Sequence, residues 1–342
     1  MKEDIIKQFE KLRAFVLKEQ CRIELSLPSN VGKEAGKLVA VFLGEGNTLF
    51  NLIEIHSTEI PEYIANPIKK AKELKINYCA AGRCELQLKS GECTYLTAGE
   101  IAIDTGQAES CFYYPCGEYV GYEVIIYIDT EEIGVPEEVL PPSLFLYKYF
   151  DGQPRPWIRA AGRFLSSFYD TFKYYTEEKL GNELISLKCE ELLTYLTKLD
   201  FEQVNIRRTY YTVSQTEIAK RVKELICSDL SIRYSAKDLA EKFGVSETSL
   251  KNYFRSVYGC GYAEFQQNAR MEKAAELLKE TEQKIADIGL TVGFVTQAKF
   301  GAAFKACFGL TPLEYRRQHR LSEEKSYIKD YFACLNPENK NS

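Results

Sequence analysis

The sequence predicts an α+β chain. An N-terminal antiparallel β-barrel or sandwich with flanking helices precedes an all-α domain of two helix-turn-helix subdomains joined by a long helix. Three observations carry this. Between about residues 22 and 130 the chain runs in short segments rich in Val, Ile, Tyr, Phe and Thr, broken by Gly and Pro. Beyond Pro136, Pro141 and Pro142 the apolar positions return at helical spacing. One turn spacing then occurs twice, about fifty residues apart, in SAKDLAEKFGVSETSLKNYFRSVYG and KIADIGLTVGFVTQAKFGAAFKACFG. With 342 residues there is enough chain for two separate cores.

In order, residues 1–20 place Ile5, Ile6, Phe9, Leu12, Phe15 and Val16 on one helical stripe. The strand region follows, with KLVAVFL, TLFNLIEI, KINYCAAG, RCELQL, CTYLTAG, EIAID, SCFYY and YVGYEVIIYI as its runs. Gly46-Asn47 and Ser90-Gly91 read as hairpin turns. Many short strands at close spacing favour a sandwich or barrel. RPWIRAAGRFLSSFYDTFKYY and ELISLKCEELLTYLTKL then predict amphipathic helices over about 155–200. The second sets Leu184, Leu187, Leu192, Leu193, Leu196 and Leu199 beside Glu and Lys. That face either pairs two chains or packs on its own barrel. Residues 1–200 thus form one expected domain, and 201–213 (FEQVNIRRTYYTV) the expected linker.

Over residues 214–320 the expected elements are helical. Ser214-Gln-Thr-Glu217 reads as a capping box, and Ser235-Ala-Lys-Asp238 caps the next helix. The first motif sets Leu239, Ala240, Gly244, Val245, Ser246, Leu250 and Phe254; the second sets Ile288, Gly289, Gly293, Phe294, Phe300 and Phe304. In each, a small residue lets two helices cross closely, a Gly permits the left-handed turn, and apolar anchors pin the second helix by its inner face. Tyr262 to Glu280 predicts the long connecting helix. Thr311-Pro312-Leu-Glu314 opens a last short one. The tail, 321–342, has no sustained period.

The net charge of −5 hides an asymmetry. Residues 213–320 hold 17 Lys and Arg against 13 Asp and Glu, a net +4, which leaves −9 on the rest. A basic C-terminal domain beside an acidic partner domain fits local contact with nucleic acid. The first 20 residues carry charges throughout and predict no signal peptide, and no run reaches the ~18 apolar residues of a membrane span. A cytoplasmic protein without membrane contact is expected, its eleven cysteines reduced.

No nucleophile, base and orienting group come together in the sequence, so no enzyme is expected. Gly44-x-Gly46 precedes no helical pattern and is no phosphate loop. Cys79-x4-Cys84 and Cys111-x4-Cys116 repeat one spacing, which suits either buried small hydrophobes or a four-thiolate zinc site. The two histidines, His56 and His319, lie in different domains. Neither a metal nor any cofactor is expected. Tyr78, Tyr95, Phe112, Tyr113, Tyr114, Tyr119 and Tyr122 either fill a core or line a cavity for a small organic molecule.

Across about residues 213–318 the chain resembles the DNA-binding domain of the AraC/XylS family of transcription regulators. The matching segments are DLAEKFGVSETSLKNYF, RMEKAAELL, IADIGLTVGF and FKACFGLTPLEYR, with Phe304, Phe308, Gly309, Thr311, Pro312, Tyr315 and Arg316 in the family's order. The resemblance implies two recognition helices entering successive major grooves of double-stranded DNA, ~34 Å apart. The strand region is similar to the cupin-like sensor domains that precede this unit in the family. That likeness implies a sensor and dimerisation domain, a small organic effector and a homodimer, with RNA polymerase as a further candidate partner.

On the first recognition helix, Leu250 and Phe254 face inward, and Ser246, Thr248, Lys251, Asn252 and Arg255 are the expected DNA-binding residues. The family's base-contacting positions fall on Thr248, Lys251 and Asn252. Asn reads adenine and Lys guanine, whereas Arg255 is placed for phosphate. On the second helix Gln297, Lys299 and Lys305 are the expected contacts. Gly301 and Ala302 stand where longer polar residues often sit, and Gly289 costs helix stability by about 1 kcal/mol. The first helix is therefore expected to supply most of the specificity. A rival reading is a small-molecule-binding protein whose degenerate second motif mediates protein contacts.

Overall fold

A computed structural model describes residues 22–28, 34–43, 47–58, 72–109, 113–128, 140–202 and 208–319. The helical stripe of 1–20, the tail, Gly46, Cys111 and Phe112 lie outside them. The chain divides near residue 216 into two compact units. The N-terminal one is an antiparallel sheet with helices, and the C-terminal one is helical.

In the N-terminal unit the strands β1 (Arg22–Pro28), β2 (Glu34–Leu43), β3 (Thr48–Ile55), β4 (Lys72–Leu88), β5 (Glu92–Thr97), β6 (Glu100–Asp104), β7 (Ala108–Glu109) and β8 (Tyr119–Ile128) run to the first described helix. They pair in the order β1-β2-β3-β8-β4-β5, with β6 and β7 also on β4. Strand β4 turns a corner. Its first half pairs with β8 and β6, a bulge falls between Cys79 and Ala81, and its second half pairs with β5 and β7. Gly82 sits at that corner with φ +78°, and a Cβ there would lie 2.0 Å from the Glu118 carbonyl oxygen. Only glycine allows both. The Ser90-Gly91 turn joins β4 to β5 as expected.

Strand alternation gives the sheet two faces. One carries Val39, Val41, Phe50, Leu74, Ile76, Tyr122, Val124 and Ile126 into the main core. Three helices cover it: α1 (Pro142–Phe150), α2 (Gly162–Glu177) and α3 (Asn182–Leu196). Phe172 of α2 sits 4.5 Å from Phe50 and edge-on to Tyr122 at 5.0 Å, measured between ring centres.

Three expectations need correcting here. The helix expected from about 155 begins at Gly162. Trp157–Ala160 instead forms strand β9 on the open side of β6, with Ile101 opposite Arg159. Aromatic and β-branched Trp157 and Ile158 suit an extended backbone, and Trp157 packs on Phe201 at 5.1 Å. The expected linker is not one throughout. Arg208 donates to the Tyr95 carbonyl at 2.6 Å and pairs with Glu100 at 2.5 Å. Tyr211–Thr212, strand β10, adds to the edge of β5. The leucine face of α3 also splits. Leu192 and Leu196 are fully buried in the main core, while Leu184 and Leu187 remain 40% and 61% exposed.

The C-terminal unit comprises α4 (Val213–Ser228), α5 (Ala236–Phe243), α6 (Glu247–Tyr258), α7 (Tyr262–Glu280), α8 (Ile285–Thr291), α9 (Gln297–Phe308) and α10 (312–319). The capping box expected at Ser214 lies two residues earlier. The Gln215 N–H donates to Thr212 Oγ1, and the Thr212 N–H donates to Gln215 Oε1 at 3.0 Å. The Ser235–Asp238 and Thr311–Glu314 boxes form where expected. Phe300 and Phe304 are fully buried against α7 and α8 residues Met271, Ala274, Leu278 and Ile288.

Candidate nucleic-acid interface

The two helix-turn-helix motifs are built alike. Ser246 caps α6, its Oγ accepting from the Ser249 N–H at 3.1 Å; Thr296 caps α9, accepting from the Lys299 N–H at 3.3 Å. In the first turn Gly244 takes φ +67° and the Val245 N–H donates to the Ala240 carbonyl. In the second Gly293 takes φ +80° and the Phe294 N–H donates to the Gly289 carbonyl. Both helices end on left-handed glycines, Gly259 and Gly309. Leu250 and Phe254 bury the inner face of α6 as Phe300 and Phe304 bury that of α9.

With register matched at Leu250 and Phe300, the outward faces compare position by position. Thr248, Lys251, Asn252 and Arg255 of α6 are all exposed. Ala298, Gly301, Ala302 and Lys305 take the corresponding places on α9. Three polar side chains are thus cut to a methyl or a hydrogen, and only the cation at the fourth place is kept. Gln297 and Lys299 are exposed on α9 as well. Ser246 spends its hydroxyl on the cap and on Ser249 Oγ. Lys251 makes an exposed ion pair with Glu247 at 3.2 Å, one turn back on the same helix. An exposed pair of this kind is worth little, so Lys251 exchanges it readily for another acceptor.

Sequence reasoning missed the junction behind these helices. Arg270 of α7, 5% exposed, donates from Nε to the Leu230 carbonyl at 2.8 Å and from Nη2 to the Ile232 carbonyl at 3.0 Å. Gln266, also 5% exposed, donates to the same Ile232 oxygen at 2.7 Å. The family segment beginning at Arg270 marked the residue, but no local pattern told which carbonyls it meets.

A second set of polar groups lies in the N-terminal unit, on the sheet face opposite the three helices. Asn51, Glu123 and Asn77 form one cross-strand row. Asn51 donates to the Glu123 carboxylate at 3.1 Å, and the Tyr119 hydroxyl donates to Asn77. Lys75 lies in the next row, opposite Asp104 and 2.8 Å from Glu73. Burial raises the carboxyls of both Glu123 and Asp104 above their ordinary values. One Asp104 oxygen accepts from the Gln107 and Ala108 N–H groups; the other is buried without a partner.

The aromatic residues expected together are divided between the two faces. Tyr78 and Tyr122 stack at 5.4 Å in the helix-covered core, whereas Tyr114 and Tyr119 pack together on the other side. Cys79 and Cys84 are buried and donate to backbone carbonyls, and burial pushes the Cys79 thiol up to about 12. Among the described residues no group of three or more His, Cys, Asp or Glu is placed to hold a metal ion, and no helix is long and apolar enough to cross a membrane.

Comparison with known proteins places the likeness in the C-terminal unit. A family model described as a helix-turn-helix domain matches residues 239–318. The probable transcription factor PqrA of Proteus vulgaris is 32% identical over 90 residues, covering 26% of this chain and 74% of that protein. The HTH-type transcriptional activator AarP of Providencia stuartii is 31% identical over 106 residues, covering 31% of this chain and 78% of that protein. Among solved structures, the C-terminal domain of AraT, a response regulator from Geobacillus stearothermophilus, is 35% identical. It covers 30% of this chain and 84% of that one, with a TM-score of 0.29.

Proposed function

Because the chain belongs to the AraC/XylS family of DNA-binding transcription regulators, we propose that α6 does most of its sequence reading while α9 mainly anchors it. The observation that carries this is the unequal outward faces of two motifs otherwise alike in caps, turns and anchors. Asn252 has the two-headed amide that reads adenine, and Lys251 reaches guanine O6 and N7. Thr248 adds a short contact, Arg255 a phosphate, and Ser246 holds the start of the helix in place. On α9, Gln297, Lys299 and Lys305 hold the backbone. The test is selection of bound duplexes from a random pool by the full chain. One strongly preferred segment beside a weakly preferred one supports the reading; no enrichment overturns it.

The N-terminal unit, in the same proposal, binds a small organic effector and pairs two chains. The polar row of buried Asn51 and half-buried Glu123 and Asn77 supports the first part, since polar groups drawn out of water across the middle of a sheet cost stability that packing does not return. Exposed Leu184 and Leu187 support the second. Pairing raises DNA affinity by linking two binding sites. Regulation then follows from any effector that prefers one arrangement of the pair.

A further inference from the structure

A guanidinium buried in a helical domain without a carboxylate is expensive, because its charge leaves water and meets only dipoles. Arg270 is such a group. No acid among the described residues pairs with it; burial is the main influence lowering its pKa, and neighbouring Arg233 adds to it. What it gains is position. Its planar fork spans the Leu230 and Ile232 carbonyls, a two-point grip that a lysine cannot copy.

Those carbonyls belong to the short segment between α4 and α5, which is itself tied down. Asp229 Oδ1 accepts from both the N–H and the hydroxyl of Ser231. The segment leads directly into Ser235, the cap of the first motif. The turn of the second motif meets it at the same point. A Cβ on Gly293 would lie 2.8 Å from Arg270 Nη2, from the Leu230 oxygen and from the Ser231 oxygen. Entry to the first motif, the long helix and the turn of the second motif therefore converge on one side chain. Each motif keeps its own apolar anchors, Leu250 and Phe254 in one and Phe300 and Phe304 in the other.

We propose that Arg270 is a positioning residue that fixes the distance and rotation between α6 and α9, and so sets the spacing the protein accepts between its two DNA segments. The proposal rests on the DNA-binding reading above. Each inserted base pair moves the second segment by about 3.4 Å along the duplex and turns it by roughly a tenth of a turn. A rigid pair of helices resists that change, and a loosened pair follows it.

The experiment uses the full chain and a duplex obtained by selection, with one or two base pairs inserted or removed between the two protected segments. The penalty for an insertion is bounded by the weak preference of α9 for its own segment, since phosphates recur at every step, so wild type should lose about threefold in affinity for a single insertion. Arg270→Lys keeps the charge but not the fork, and its insertion penalty should vanish while its helical circular-dichroism signal stays unchanged. Gln266→Leu, which removes one bond to the Ile232 oxygen, should show an intermediate penalty, and it decides the matter should Arg270→Lys unfold. Folded variants that keep the full wild-type penalty overturn the proposal. Wild type that binds no selected duplex overturns the DNA-binding reading instead.

Discussion

Gly289 lies directly against the ring of Phe300: a Cβ built on it would sit 3.1 to 3.3 Å from the Cδ1, Cγ and Cβ of that side chain. At the same places in the first motif stand Ala240 and Leu250, both buried. A larger anchor on α9 is thus matched by a smaller residue on α8. Gly289 is no sign of a decayed motif. Its loss of helix propensity, about 1 kcal/mol, is set against closer packing.

From this, Gly289→Ala should destabilise the C-terminal unit. The gain in propensity is smaller than the roughly 1–3 kcal/mol of overpacking against a fully buried ring. Gly289→Ala with Phe300→Leu should recover most of the loss. Denaturant unfolding of the four proteins in the cycle measures the coupling, and strict additivity would contradict the packing account.

Leu192→Glu or Leu196→Glu should unfold the N-terminal unit, at a cost of at least about 3 kcal/mol, because both side chains are fully enclosed by the sheet and its helices. Leu187→Glu should leave folding intact. If the exposed part of α3 joins two chains, that variant sediments as a monomer. A native dimer of Leu187→Glu would exclude this face.

Much of this was legible in the chain, and the misses share a cause. The two motifs were readable because their signals are local: caps, a glycine turn and anchors within about twenty residues. Periodicity alone does not tell where Leu184 and Leu187 part from Leu192 and Leu196, since both pairs fit one stripe. Trp157 and Ile158 fit the helical pattern that follows them, and nothing nearby in the chain reveals that β6 has an open side to accept them. Residues 208–212 read as linker because the partners of Arg208, Glu100 and Tyr95, lie more than a hundred residues earlier. The polar row behind Asn77 needs three strands in register before it exists at all.

That row predicts a pH effect. Burial raises the Glu123 carboxyl, so the folded state holds its proton more tightly than the unfolded state. Folding is then favoured at low pH, and this contribution is lost as pH rises from about 4 through the raised value. Glu123→Gln should therefore gain stability relative to its parent as pH rises, read from unfolding midpoints at pH 5 and pH 8. An identical difference at both values would contradict it.

The two recognition helices should also separate by mutation. Lys251→Ala or Asn252→Ala should cost about 1–3 kcal/mol on the selected duplex and relax preference at one or two positions. Lys299→Ala should weaken all duplexes alike. If Lys299→Ala changed the preferred sequence while Asn252→Ala did not, the assignment of the two helices would be reversed.

The most direct measurement is the salt dependence of duplex binding by the full chain. If α6 and α9 enter neighbouring major grooves, as proposed, they neutralise several phosphates and release their counterions. The logarithm of the affinity should then fall linearly with the logarithm of salt concentration, with a slope of about −0.9 for each phosphate contacted. A steep slope, shallower by about one in Arg255→Ala or Lys305→Ala, is the predicted result. An affinity that stays flat from 50 to 200 mM salt, or no binding at the lower value, would contradict the account.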